Sequence, residues 1–278
     1  MRVLVTGGAG FIGSHLVNRL VECRHKVTVF DNFSTGNRSR LNHAAEYMDV
    51  CVEDCRSHNF VYDVIFHLAA EARIQPSFSR PFQAHSANVT GTVSVLELAR
   101  ATGAKVVYAG SSTAYHDHFA NPYAFTKATG ENYCKLYNKV YGVPTAIARF
   151  FNVYGSGQPL EGPYATVVGV FEGQRRSCLP LTVTGTGEQR RDFCHVSDIV
   201  DGLIGMSEVA DGAETFDLGT GVNHSINEVA AMFKHPVKYI PARPGEAFAT
   251  LASVDKAAAA FGYSPKRRLK DYIESVAT

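Results

Sequence analysis

With 278 residues, 45% of them hydrophobic, the chain can bury a large core, and its length fits one large domain or two unequal ones. The net charge is +1 and acids and bases are scattered rather than blocked, which leaves no electrostatic footprint for a nucleic-acid or membrane partner. Cys23, Cys51, Cys55, Cys134, Cys178 and Cys194 lie at irregular spacings without a CxxC pair, so no zinc pattern emerges and reduced thiols in a cytoplasmic protein are expected.

In chain order, a single charge at Arg2 precedes a short apolar run entering glycines, which is neither signal peptide nor membrane span. Arg2–Thr6 reads as a strand, 11–21 as a helix and Lys26–Phe30 as a second strand ending at Asp31. Val64–His67 follows as a buried strand, 84–102 as a long helix, 105–109 as a strand, Pro122–Tyr141 as a helix and 145–149 as a strand. Strands alternating with helices imply an α/β fold, a Rossmann-type doubly wound parallel sheet covered on both faces. After Asn152 the glycines and prolines at 155, 157, 159, 162 and 163 break the rhythm. The expected organisation is a dinucleotide-binding domain of 1–152 plus about 193–219, and a smaller mixed α/β substrate-binding domain of about 153–192 plus 220–278.

Three motifs carry chemistry. Gly7, Gly10 and Gly13 stand between the first strand and the first helix, where missing side chains permit a tight turn, close backbone approach to a pyrophosphate and close helix packing. Taken alone this G-x-x-G-x-x-G string is weak, because glycine turns are common. Asp31, about 20 residues on, strengthens it: a carboxylate at that strand end accepts hydrogen bonds from both adenosine ribose hydroxyls and repels a 2'-phosphate, favouring NAD over NADP. The second motif is Tyr123 and Lys127, four apart on one helix face behind Asn121 and Pro122. A nearby cation lowers a phenol pKa from about 10, so Tyr123 could serve as a base near neutrality; a solvated helix face is the competing explanation. The third is Gly110-Ser111-Ser112-Thr113 at the carboxyl edge of a strand, where hydroxyls can bond a reacting oxygen or, more plainly, cap a helix.

Together with His67-Leu68-Ala69-Ala70, Ser111 to Tyr115 and Arg149-Phe150-Phe151-Asn152-Val153-Tyr154-Gly155, these motifs resemble the extended short-chain dehydrogenases/reductases, and among them the nucleotide-sugar epimerases of the UDP-glucose 4-epimerase type. The likeness runs on through Gly185 to Phe193, His195-Val196-Ser197-Asp198 and Arg243-Pro244-Gly245-Glu246, nearly the whole chain. It implies an NAD-dependent isomerase acting on a UDP-sugar. By position it gives Gly7, Gly10, Phe11, Ile12, Asp31 and Asn32 to the adenosine and pyrophosphate, Asp54 to the adenine, and Ala69, Asn88 and Lys127 to the nicotinamide half. Tyr123 would be the acid/base, with Ser111 as hydrogen-bonding partner and Ser112 as its alternative. Asn152, Arg191 and Arg243 would hold the substrate diphosphate, a task suited to guanidinium forks, and Glu246 a ribose hydroxyl.

The chain also departs from that family. Seven residues separate Tyr115 from Tyr123 where a longer loop is usual, and His116 stands where glycine is common. Family dehydratases and decarboxylases carry acids just after the position of Ser111, where Ser112 and Thr113 stand here; a 4,6-dehydratase, a reductase and a non-catalytic NAD-binding regulator remain rival readings. Thr250 falls where a bulky tyrosine excludes N-acetyl sugars, with Phe248 or Leu251 as alternatives should the alignment slip. The family further implies a homodimer through the helices of 84–102 and 122–141, although Val89, Val93 and Leu96 could equally be core.

Overall fold

The computed structural model describes residues 1–58, 60–209 and 211–276. The chain folds as two compact units, Met1–Arg149 with Val200–Phe216 and Phe150–Ile199 with Asp217–Thr278. In chain order the strands are β1 (Arg2–Thr6), β2 (Lys26–Phe30), β3 (Glu46–Met48), β4 (Val64–His67), β5 (Lys105–Ser111) and β6 (Thr145–Phe150). Then come β7 (Asn152–Tyr154), β8 (Leu181–Thr184), β9 (Arg190–His195), β10 (Gly212–Leu218), β11 (Asn223–Ser225) and β12 (Val237–Ile240). The α-helices are α1 (Phe11–Glu22), α2 (Ile74–Ser79), α3 (Pro81–His85), α4 (Gly91–Thr102), α5 (Pro122–Tyr141), α6 (Val167–Arg176), α7 (Val196–Val209), α8 (Ile226–Phe233), α9 (Asp255–Phe261) and α10 (Leu269–Val276).

The first unit is built on a seven-stranded sheet in the order β10-β6-β5-β4-β1-β2-β3. Its pairs β1 with β2, β1 with β4, β2 with β3 and β4 with β5 are parallel. Parallel strands covered on both faces are largely apolar, and Val64–His67 is buried at every position, Val64, Ile65 and Phe66 by packing and His67 with its ring nitrogens hydrogen-bonded. Leu4, Ile65, Leu96, Val106 and Ile147 lie in one fully buried cluster, and each such side chain contributes about 1.5–3 kcal/mol on leaving water. The strand order reverses between β1 and β4, so the crevice beyond their carboxyl ends is the ligand position in a sheet of this kind.

The long helix expected over 84–102 is interrupted: α3 passes into a π-helical turn over Ser86–Thr90 before α4 begins. The π turn carries the buried Asn88, 1% exposed, and such turns concentrate at functional sites. At Gly91 a Cβ would come within 2.5 Å of Val52 Cγ1, so glycine lets a short 3-10 helix, Val52–Ser57, pack closely on α4. Of Val89, Val93 and Leu96, which the sequence left open between interface and core, Val89 and Leu96 are buried at 6% and 0% exposure and Val93 is partly buried against the same core. The exposed apolar side chains on α5 are Phe125, Leu136, Val140 and Tyr141.

The second unit holds a three-stranded sheet, β11-β9-β7, and a two-stranded one, β12-β8. Phe171, Leu181, Val183, Phe193, Val229 and Phe233 pack its own core. Because β9 pairs with β7 and β11 here, the chain returns to the first unit at Val200 rather than near residue 193.

Candidate active site

The glycine turn has the shape of a phosphate cradle. Gly7 has φ of 73°, and a Cβ there would come within 2.7 Å of the Ala69 backbone nitrogen. At Gly13 a Cβ would collide with the carbonyl oxygen of Gly7, so only glycine lets α1 approach β1 this closely. Gly10 caps α1 with no side chain of its own and the first helical turn, entered by Phe11 and Ile12, holds no acidic residue, leaving backbone N–H groups and the positive dipole end for an anion. Asp31, 8% exposed, accepts a hydrogen bond from the Ala9 N–H at 2.9 Å and from the Phe33 N–H at 2.8 Å, one on each oxygen. A carboxylate has about four lone-pair sites, so both oxygens keep capacity for ribose hydroxyls. Asn32, next to Asp31, is exposed and accepts the Ser34 N–H at 3.1 Å; Asp54 is exposed in the 3-10 helix Val52–Ser57. The residues present therefore fit an adenine dinucleotide.

Behind the crevice runs a directed hydrogen-bond chain. Thr92 donates to the Asn88 carbonyl at 2.7 Å, so it must accept from His67 Nε2 at 3.0 Å. His67 Nδ1 then accepts from the Thr6 hydroxyl at 2.9 Å, and Thr6 accepts the Ala69 N–H at 3.2 Å. This order fixes His67 as the neutral Nε2–H tautomer, and burial, aided by the charge of Lys127, holds its pKa down at about 3. Asn88 spends its amide inside the protein: Oδ1 accepts the Glu71 N–H at 2.9 Å, while Nδ2 donates to the Glu71 carbonyl at 3.1 Å and to Thr126 at 3.0 Å. These bonds tie the segment that follows β4 to α5.

Tyr123 is the second residue of α5, which Asn121 caps by accepting the Ala124 N–H at 2.8 Å and Pro122 starts at the first position. Its backbone N–H donates to Ser77 Oγ at 3.1 Å. Burial pushes the phenol above its ordinary value of 10, while a side-chain hydrogen bond with Ser111 and the charge of Arg73 pull it back. Ser111, rather than Ser112, makes that bond, and is itself oriented by the Thr113 hydroxyl at 2.9 Å; Ser112 sits half-buried in the following turn. Lys127, one turn on, is buried, and desolvation lowers its ammonium to about 8 against the opposing charge of Glu131. Its Nζ lies 4.4 Å from the Tyr108 ring centroid.

In the second unit, Asn152 opens β7 half-buried. Arg191 on β9 donates to the Phe248 carbonyl at 3.1 Å, and its guanidinium stands 3.6 Å from Glu246 Oε2. Burial lowers the Arg191 pKa and Glu246 works against that. Arg243 is exposed in the segment after β12. Thr250 is bound by its backbone, donating to the Arg190 carbonyl at 3.1 Å and accepting from Asn223 at 3.3 Å, whereas its hydroxyl oxygen is buried without a partner among the described residues. Phe248 and Leu251 are 70% and 54% exposed.

Two residues escaped the sequence reading. Glu131 grips Arg149 at 2.8 Å and acts on Lys127; its spacing of four from Lys127 on one helix face was the available signal. Arg73, whose charge acts on Tyr123, left no mark in the sequence.

The profile of the NAD-dependent epimerase/dehydratase family matches residues 3–219. A Methanocaldococcus jannaschii protein named "Putative UDP-glucose 4-epimerase" is 34% identical, over 99% of this chain and 96% of its own length. UDP-glucuronic acid decarboxylase 1 of Xenopus tropicalis is 33% identical over 85% of this chain, which spans 60% of that relative. The crystal structure of a Thermotoga maritima UDP-glucose 4-epimerase with UDP-glucose superposes with a TM-score of 0.93 at 30% identity, covering 100% of this chain and 97% of that one.

Proposed function

The chain belongs to the NAD-dependent epimerase/dehydratase family, and we propose that within it the protein is a nucleotide-sugar 4-epimerase working through a transient 4-keto sugar, on UDP-glucose and UDP-galactose and, if Thr250 leaves room, on their N-acetyl counterparts. The observation that carries this reading is the Tyr123 phenol hydrogen-bonded to Ser111 at the carboxyl edge of β5 with Lys127 one turn away. Bound NAD supplies the group that takes and returns the hydrogen of sugar C4. Tyr123 as phenolate removes the 4-hydroxyl proton and later gives it back, with Ser111 sharing the hydrogen bond to the reacting oxygen. Its burial works against the phenolate, while the Ser111 hydrogen bond and the charge of Arg73 work for it. Gly7, Gly10, Phe11, Ile12, Asp31 and Asn32 hold the dinucleotide's adenosine and phosphates, with Asp54 by the adenine and Ala69 by the nicotinamide. Asn152, Arg191, Arg243 and Glu246 take the substrate nucleotide.

Ser112 and Thr113 in place of acids argue against dehydration or decarboxylation, which need a further acid/base group after the shared oxidation. The deciding experiment incubates the purified protein with UDP-glucose, UDP-galactose and their N-acetyl forms, without added NADH or NADPH, and separates the products. A C4 epimer supports the reading; a dehydrated, decarboxylated or reductant-dependent product overturns it. A homodimer is part of the same proposal, now through exposed Phe125, Leu136 and Val140 of α5, and a monomer in micromolar light scattering removes it. No helix among the described residues is long and apolar enough to cross a membrane; the free thiols support a cytoplasmic place, which cell fractionation tests.

A further inference from the structure

Arg73 occupies a backbone conformation that favours glycine. With φ of 91° and ψ of 142° it caps α2, in a region that residues with a Cβ rarely enter. The segment is clamped on both sides of it. Before it, Glu71 exchanges two hydrogen bonds with Asn88, which in turn holds Thr126 of α5. After it, Ser77 accepts the backbone N–H of Tyr123 at 3.1 Å. Both clamps end on the first turns of α5, so the strained residue is held against the helix start that presents the phenol. Strain kept in place by surrounding bonds points to a use for the side chain it presents.

We propose that Arg73 is a positioning residue for the reaction, its guanidinium stabilising the phenolate form of Tyr123; this rests on Tyr123 being the base. The elements packed on α5 carry other titratable groups: Tyr108 on β5, His85 on α3, and Tyr115 and His118 in the turns before the helix, besides Lys127 and Glu131 on α5 itself. The ammonium of Lys127 lies over the Tyr108 ring and within the field of Glu131. The carboxylate of Glu71 pairs with Arg80 at 2.6 Å. The charge of Arg73, at the start of the helix α2 that packs on α5, favours the ionised phenol of Tyr123. An always-charged guanidinium suits this task, because it persists at any pH where the phenol ionises.

The test compares Arg73→Gly, Arg73→Gln and Arg73→Lys with the parent enzyme in the pH dependence of kcat, in thermal midpoint, and in the ultraviolet titration of tyrosine with NAD bound, using Tyr123→Phe to identify the Tyr123 signal. Loss of the cation shifts the acid limb of kcat and the Tyr123 ionisation upward by about one unit in the glycine and glutamine variants, with about tenfold less activity below the limb. Arg73→Lys keeps both near the parent values. Arg73→Gly, freed of strain, melts no lower than the parent, which a purely structural role does not allow. An unmoved limb and ionisation in Arg73→Gly and Arg73→Gln, with Tyr123→Phe inactive, overturn the role of Arg73 alone. Full activity in Tyr123→Phe overturns the base itself and this proposal with it.

Discussion

The candidate site residues of the two units differ in how firmly they are held. In the first, the site residues are buried and locked by other protein groups: Asp31 by Ala9 and Phe33, Asn88 by Glu71 and Thr126, His67 by Thr6 and Thr92. In the second, Arg191 is held by the Arg190 and Phe248 carbonyls at 2.8 and 3.1 Å but stands 3.6 Å from Glu246, and Arg243 lies exposed. On the proposed epimerase reading, a preformed network suits a cofactor regenerated in each turnover, and an exposed arginine suits a substrate that must leave. First-unit substitutions should therefore cost stability, cofactor or the chemical step, and second-unit ones mainly substrate affinity.

The largest expected effect is at Tyr123. Tyr123→Phe lowers kcat by about 10²–10⁴, the usual worth of an acid/base group, with nucleotide-sugar affinity changed only a few fold. Steady-state kinetics beside equilibrium binding measures both; full turnover breaks the assignment of chemistry to the first unit. Next comes Gly13→Ala, whose Cβ meets the Gly7 carbonyl. Overpacking costs about 1–3 kcal/mol, and the variant loses the rise in thermal midpoint that NAD gives the parent. The same thermal assay should show NAD stabilising the parent more than NADP at equal concentration; the reverse order removes Asp31 as the partner of the ribose hydroxyls.

In the second unit, Arg243→Ala raises KM about tenfold, or about 1.4 kcal/mol, with kcat and thermal midpoint unchanged. A fall in kcat at constant KM would blur the division between the units. The pH dependence of stability sharpens the other side. His67 is held at about 3 in the folded chain against 6.5 ordinarily, so the unfolded chain takes up the proton first. The stability linked to it is complete above pH 6.5 and declines as pH falls toward 3, by about 1.4 kcal/mol per unit at most. Urea midpoints at pH 7, 5.5 and 4.5 should show a shallower acid decline in His67→Asn than in the parent, and equal slopes would mean His67 is not the buried neutral group.

The same contrast governs what the sequence reveals. Strands such as Lys26–Phe30 and Val64–His67 and the helix Pro122–Tyr141 are bounded as expected, because local signals set them: apolar runs, a capping Asn121 before Pro122, and Gly142 at positive φ after the helix. Gly7, Gly13 and Asp31 are legible because their spacing is the geometry. The π turn at Ser86–Thr90 is not, since it exists to meet Glu71 and Thr126, 17 and 38 residues from Asn88 in the chain. β3 is too short to show a period. Arg73 shows why tertiary context matters most: an arginine at a position suited to glycine follows no local rule.

The smallest and most selective effect concerns Thr250. Two backbone hydrogen bonds, to Arg190 and from Asn223, fix its main chain beside β9, so substitution there changes side-chain volume while leaving those bonds available. Its hydroxyl oxygen has no partner among the described residues, and replacing it costs no internal hydrogen bond. A pocket takes an acetamido group only if it has the volume, because packed interiors rarely hold spare space larger than a water. If Thr250 borders the sugar C2 substituent, Thr250→Tyr removes activity on UDP-N-acetylglucosamine by more than about tenfold and spares UDP-glucose, since the added ring meets only the bulkier substrate. Should the alignment be off, Phe248 or Leu251, both exposed, would be the gate, and Phe248→Ala or Leu251→Ala would alter the ratio of the two activities instead. Equal loss of both activities in Thr250→Tyr means the residue supports β9 and does not select the sugar.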